Sequence, residues 1–238
     1  MIQERLIEYE HNGTLLEGFL AYDDATASAR PAVLISHAWA GRGELECNKA
    51  RALAESGYAG FAMDLYGKGV LGSGPEQNQK LMSPFLEDRA MLQSRMTTAL
   101  DILRAQSEVD TSNIAAMGYC FGGLCVLDLA RIGTDINGVI SIHGLFASPG
   151  NTQGTKIKAK VLVLHGNEDP MVPVDSVVEL EKELTGAGAD WQIHVYGNTM
   201  HAFTNPGAND HSMGTVYNEV ADKRSWIAVK NFLQEIFS

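Results

Sequence analysis

A cysteine, an aspartate and a histidine, each in a turn that follows an apolar run, are the side chains here whose types and order suit covalent chemistry. Cys120 lies in the segment Gly118, Tyr119, Cys120, Phe121, Gly122, Gly123, where a strand is predicted to stop and a helix to begin. The segment reads as a nucleophile elbow, a strained turn that lifts one side chain above the sheet. Such a turn needs small neighbours so that adjacent backbone does not collide with it. Gly118 and Gly122 meet that need. The amino end of the following helix favours a thiolate through the helix dipole. A thiol also needs a base, and the base needs a partner to orient it and to stabilise the imidazolium. Asp169, in the run 166–173 with Pro170 and Pro173 to stiffen it, is the candidate orienter. His201, in the run 197–203 after the last predicted strand, is the candidate base.

These groups can meet only if the elements before them end on one edge. Segments 5–10 and 15–22 flank Asn12 and Gly13 and read as an antiparallel hairpin. From Ala32 onward, short apolar runs alternate with longer amphipathic stretches. Strands are predicted at 32–36, 58–63, 114–119, 138–143, 161–165 and 191–196. Helices are predicted at 44–56, 87–105, 121–132, 175–185 and 217–237. Strands alternating with helices call for right-handed crossovers and an α/β fold with a mostly parallel sheet covered on both faces. Ligands then bind at the carboxyl ends of the strands. The long connections 65–84 and 201–215 both follow strands and are expected on that edge. The former reads equally well as an exposed connection. No repeat or linker divides the chain, so 1–238 is expected to be a single domain.

Other side chains are weighed against this trio. Cys47 and Cys125 fit buried structural thiols. His37, His143 and His165 each end a predicted strand, but neither HExxH nor paired cysteine spacing accompanies them, so packing is expected and no metal is predicted. His11, His194 and His211 have no matching context and read as surface or strand residues. Asp64, past the strand 58–63, is a less convincing alternative to Asp169 as the partner of the imidazole. No GxGxxG opens a helix after an early strand, which removes a dinucleotide-dependent dehydrogenase.

The chain has 238 residues, 45% hydrophobic and 20% charged, an ordinary globular composition. Its 29 acidic against 18 basic residues give a net charge of −11, which on average repels nucleic acid and anionic membranes. The amino end mixes Glu4, Arg5, Glu8 and Glu10 among apolar residues and reads as neither a basic leader nor an export signal. No window approaches the roughly 18 apolar residues of a spanning helix. Three irregularly spaced cysteines suit a reducing compartment, so a soluble, cytoplasmic protein is expected.

The order cysteine, aspartate, histidine, each after its own strand, is that of the α/β-hydrolase arrangement. With the elbow spelling and the run Met63, Asp64, Leu65, Tyr66, the chain resembles the dienelactone hydrolase family over nearly its whole length. The resemblance implies an α/β-hydrolase fold without a large cap domain and a catalytic triad of Cys120, Asp169 and His201. It also implies an oxyanion hole from the backbone amides of Phe121 and Trp39. His37, Ala38, Tyr119 and Phe203 flank these positions and are candidates for lining the substrate pocket, and Trp39 for walling its acyl part. Well-known members carry a glutamate where strand ends align with Ala38, so no carboxylate is expected to compete for the thiol proton and Cys120 and His201 are expected to rest as an ion pair. Those members also grip a substrate carboxylate with arginines. Here Asn205 stands four residues past His201, and only Arg89 and Arg95 lie in a nearby helix.

The expected activity is therefore hydrolysis of an uncharged small ester or lactone through a thioester, with no cofactor. Partners are a small-molecule substrate, no nucleic acid and no membrane, in a monomer or weak homodimer. An activated phosphoester is the alternative substrate. A thiol redox protein is the rival class, and Cys125, about 140° round the predicted helix from Cys120, is poorly placed to resolve it. A binding module on an inactive hydrolase fold is a further rival, against which all three triad residue types argue.

Overall fold

In the first strand the buried Tyr9 and His11 alternate with the exposed Leu6, Glu8 and Glu10, which gives it one buried face, and the turn after it sets the register of the hairpin. In the computed structural model, which describes residues 1–25 and 27–238, β1 (Ile2–His11) and β2 (Thr14–Asp23) form this hairpin with Arg5 opposite Leu20. Asn12 and Gly13 both take positive φ, 50° and 75°, as a two-residue turn matched to strand twist requires. The chain divides into two compact units, Met1–Met117 and Gly118–Ser238.

In the first unit, β3 (Arg30–Ser36), α1 (Glu44–Glu55) and β4 (Ala59–Ala62) form a crossover that leaves β3 and β4 parallel, with Leu34 beside Phe61. Antiparallel β2 continues from β4, with Leu20 beside Phe61. Two further helices follow, α2 (Pro75–Glu87) and α3 (Arg89–Arg104), and then β5 (Val109–Tyr119), which ends in the second unit. Helix α2 begins inside the connection 65–84, for which no element is predicted, and runs three residues past it. Pro75 occupies its first turn, where a preset φ and a missing N–H cost nothing, and the break comes at Asp88 rather than at either proline. Asp88 ends α2 and caps α3 through the Met91 N–H at 2.9 Å. Strand β5 starts five residues ahead of the predicted 114, because the polar stretch Val109–Asn113 carries no apolar run to mark it.

The second unit holds the parallel strands β6 (Gly138–Ile142), β7 (Lys160–Gly166) and β8 (Trp191–Tyr196), preceded by α4 (Phe121–Arg131) and interleaved with α5 (Val174–Gly186). A small hairpin, β9 (Asn209–Asp210) with β10 (Thr215–Val216), precedes α6 (Glu219–Ile236). Strand β6 is buried from end to end, as a strand covered on both sides must be. Alternation sends Ser141 toward α4 at Gly123 and Gly138 toward Phe232 and Ile236 of α6. Arg131, with its side chain 1% exposed, closes the α4 side. It pairs with Asp128 and with Glu183 of α5, and donates to the Phe146 and Ala147 carbonyls. The connection 143–159 between β6 and β7 contains no helix or strand, so nothing there builds a cap. Among the described residues, no helix is long and apolar enough to cross a membrane.

Candidate active site

At the carboxyl end of β5 the chain turns into α4 within one residue. Cys120 makes that turn at φ 54° and ψ −116°, outside the range ordinary side chains favour. A β-carbon at position 118 would lie 2.1 Å from the Gly122 carbonyl oxygen, so the turn can be this tight only with glycine there. The Cys120 N–H is held by two acceptors, the Ile142 carbonyl at 3.1 Å and Nδ1 of His143 at 3.2 Å. The side chain is half-buried, whereas Cys47 and Cys125 are buried free thiols.

The acid and the base sit on two loops of the same unit. After β7 the Asp169 N–H donates to the Gly166 carbonyl, and the Asp169 Oδ1 accepts the Met171 N–H at 2.9 Å. Its Oδ2 faces Nδ1 of His201 at 2.7 Å, and both side chains are buried. His201 is fixed along its backbone as well: its N–H donates to Gly214 and its carbonyl accepts from Val216. The hairpin β9–β10 is thus a clamp on the histidine, built where the sequence shows only a long connection. Its turn comes from polar groups, the Asp210 carboxylate accepting the Ser212 and Met213 N–H groups, and so leaves no apolar signature. Gly214, at φ 68°, sits so close to Pro170 that a β-carbon would lie 2.2 Å from its ring. The acid loop and the base loop therefore touch directly beyond the ion pair.

The imidazole of His201 is nearly sealed. Burial alone pushes its pKa down, but the Cys120 sulfur and then the Asp169 carboxylate outweigh that and hold it up at about 10. Its Nε2 makes no well-aligned hydrogen bond to any described group, so the interaction with the sulfur is one of proximity and charge. His165, at the end of β7, is buried under Phe146, with ring centroids 5.6 Å apart. Burial holds its pKa down, and neither of its ring nitrogens has a hydrogen-bond partner among the described residues.

The other predicted positions resolve differently. Within the first unit, His37 is wholly buried, its Nδ1 against the Ala38 carbonyl at 2.6 Å and its Nε2 accepting the Leu65 N–H. Ala38 and Trp39 are half-buried. The Trp39 carbonyl accepts from Tyr66, while its N–H donates to no described group. The Asp64 carboxylate is taken up by the N–H groups of Glu17, Tyr66 and Gly67. Arg95 is likewise occupied, by the Leu65 carbonyl, Thr14 and His11, and stacks on Phe85. In the second unit, Tyr119 is buried and Phe203 is sealed against His143 and Tyr196. A cavity of about 670 Å³ opens beside the Asp169 loop, lined by Phe146, Met171, Val172 and Leu180 among others, and includes none of the four predicted pocket residues.

Two functional candidates escaped the sequence reading. One is His143, whose sequence context marks only the end of a strand. The other is Glu46, a buried carboxylic acid whose oxygens accept the Ala38 N–H at 3.3 Å and the Gly43 N–H at 2.9 Å. Burial raises its pKa against the lowering effect of those donors. Position 38 is itself alanine, and the carboxyl group on its backbone N–H comes from α1. The signal was present, since Glu46 is the third residue of α1 and reaches back to the cap residue's N–H, as half of a capping box does.

Comparison with known proteins follows the same lines. The model of the Dienelactone hydrolase family matches residues 16–237. The solved structure named m3DLH superposes with a TM-score of 0.95 at 36% identity, covering 100% of this chain and 99% of the other. A dienelactone hydrolase-like promiscuous phosphotriesterase from metagenomic libraries superposes at 0.93 and 33% identity, with the same 100% and 99% coverage. The Aquifex aeolicus (strain VF5) protein named "Putative carboxymethylenebutenolidase" is 28% identical over 243 residues, 97% of each chain. The architecture is accordingly an α/β-hydrolase fold.

Proposed function

Because the chain belongs to the dienelactone hydrolase family and is a hydrolase, we propose that it cleaves uncharged carboxylic esters or lactones through a Cys120, His201, Asp169 triad. The observation that carries this reading is the His201 ring, with Nδ1 held by Asp169 at 2.7 Å and Nε2 left over beside the Cys120 sulfur. An imidazole held by a carboxylate and lying beside a thiol supports the pairing of an oriented base with a nucleophile. In this reading His201 takes the proton of the Cys120 thiol, a role supported by its raised pKa.

The thiolate of Cys120 attacks the substrate carbonyl carbon, and the carbonyl oxygen becomes an oxyanion. Backbone amides take that charge. Phe121 opens α4, where helix N–H groups lack intrahelical partners, and the resemblance assigns the second donor to Trp39. The tetrahedral adduct collapses and expels the alkoxide, which takes the proton from His201 Nε2 and leaves as alcohol. In a lactone it stays tethered to the acyl group. A thioester on Cys120 remains. His201 then removes a proton from water, the hydroxide adds to the thioester, and collapse releases the carboxylic acid and the thiolate. Asp169 holds the ring in one tautomer throughout.

The uncharged substrate is favoured because Arg95 has its guanidinium occupied by Leu65, Thr14 and His11, and because the chain is strongly acidic. A second reading, cleavage of an activated phosphotriester at the same sulfur, is supported by the 33% identical metagenomic phosphotriesterase. A panel of short-chain chromogenic esters, lactones and an activated phosphotriester tests both, with mass spectrometry of the trapped enzyme. An acyl adduct on Cys120, and loss of turnover in Cys120→Ala and His201→Ala with circular dichroism unchanged, is the expected result. Full turnover in either variant rejects the assignment.

A further inference from the structure

His143 follows β6 directly and adopts φ 37°, a left-handed conformation that a histidine seldom holds. Its own N–H is fixed to the Leu164 carbonyl at 2.8 Å, so the ring is delivered from a rigid strand end. The ring then reaches both halves of the proposed reaction centre. Nδ1 lies 3.2 Å from the Cys120 backbone nitrogen, and Nε2 lies 2.9 Å from the Thr204 hydroxyl. The ring packs edge-on against His201, with centroids 5.1 Å apart, and against Phe203 at the same distance.

A backbone N–H can donate to Nδ1 only if that nitrogen carries no proton. The ring is therefore the Nε2–H tautomer, and the Thr204 oxygen accepts from it. Thr204 stands three residues after His201 on the same turn, where the Asn205 N–H closes back on the Ala202 carbonyl. One side chain thus holds the amide of the nucleophile with one nitrogen and the loop of the base with the other.

We propose that His143 is a positioning residue that sets the distance and orientation between the Cys120 sulfur and the His201 imidazole, by bridging the nucleophile's amide to Thr204. The proposal rests on the Cys120–His201 reading above, but it concerns how the pair is held rather than which bond is cleaved. It does not make His143 an acid or a base, since both of its nitrogens are already engaged.

The test uses variants that separate the two arms. His143→Asn keeps an acceptor near Nδ1 and gives up the reach to Thr204. His143→Gln does the reverse, and Thr204→Val removes the acceptor without touching the elbow. Thr204→Ser restores it. Two quantities are read for each: kcat and KM with a short-chain ester, and the pH profile of Cys120 alkylation by iodoacetamide, which needs no substrate. A misplacement of about an ångström in such a pair costs up to about 100-fold. His143→Gln and Thr204→Val should accordingly lose about 10- to 100-fold in kcat, with KM moved by less than about threefold. Their alkylation profiles should shift to higher pH as the sulfur loses its partner, and Thr204→Ser should return both readouts to wild type.

Wild-type kcat and an unshifted profile in His143→Gln and Thr204→Val overturn the proposal, whatever their melting temperatures. Should the His143 variants fail to fold, the Thr204 pair decides the matter by the same two readouts. Wild-type protein without ester turnover, but with alkylation that shifts in Thr204→Val, leaves the positioning role standing and rejects the ester reading.

Discussion

Asp169→Asn is the sharpest perturbation of the proposed triad because it changes one atom and one charge without changing shape. The carboxylate holds two partners: Oδ1 takes the Met171 N–H and Oδ2 takes His201 Nδ1 at 2.7 Å. An amide can keep its oxygen on Met171, which leaves NH2 facing a ring nitrogen that also carries a proton. Two donors at that separation cannot coexist in a buried site, so the ring must give up its Nδ1 proton and keep one only on Nε2, where it cannot take the proton of Cys120. If Asp169 mattered only as a charge-assisted hydrogen bond, its loss would cost about 1.5–3 kcal/mol, or roughly 10- to 150-fold. The wrong tautomer costs more, about 10³- to 10⁴-fold in kcat, equivalent to about 4–5.5 kcal/mol at the barrier. The assay is steady-state hydrolysis of a chromogenic ester across pH, beside iodoacetamide alkylation of Cys120 and a circular dichroism spectrum. The variant's His201 should also release its proton at lower pH, since both raising effects of Asp169 disappear while burial remains. A kcat within about threefold of wild type would refute the tautomer argument and Asp169's role with it.

Further outcomes follow from the same contacts. His201 has its folded pKa raised from the usual 6.5 to about 10, so its charged pair contributes stability below pH 6.5 and loses it as pH climbs through about 10. Denaturant unfolding of wild type and His201→Gln should show a stability difference that shrinks across that window, and a constant difference contradicts it. Gly214→Ala places a methyl 2.2 Å from Pro170 at φ 68° and should displace the clamp on His201. The expected loss is about 1–3 kcal/mol in urea unfolding together with reduced kcat. Arg131→Met removes the cation shared by Asp128 and Glu183 from a buried cluster and should cost about 3–5 kcal/mol, and less than about 1 kcal/mol would assign the cluster's stability to packing alone.

How much of this was legible beforehand depended on whether a feature advertises itself in local pattern. The hairpin around Asn12 and Gly13, the buried run of β7 and the amphipathic α3 all follow from apolar periodicity, and their observed limits fall within a few residues of the expected ones. Helix α2 escaped because prolines at 75 and 84 look like breakers, although the first turn accepts one freely and the second lies near the end. The hairpin β9–β10 escaped because side-chain hydrogen bonds from Asp210 build it. The carboxyl group of Glu46 is not legible from Ala38 and its neighbours, because it comes from eight residues further on, across a helix cap.

Residue type and order nominate Cys120, Asp169 and His201 as candidates, because turns after parallel strands open on one edge of the sheet. Within the second unit, folding supplied what pattern cannot encode. It placed the His201 ring on the Asp169 carboxylate, gave His143 a grip on Cys120 and Thr204, and buried Phe203 against His143 and Tyr196. Each of these is a contact between residues 23 to 61 positions apart, or a rotamer set by such a contact. Local periodicity carries no information about distances across such gaps, and only close packing of the finished core fixes them.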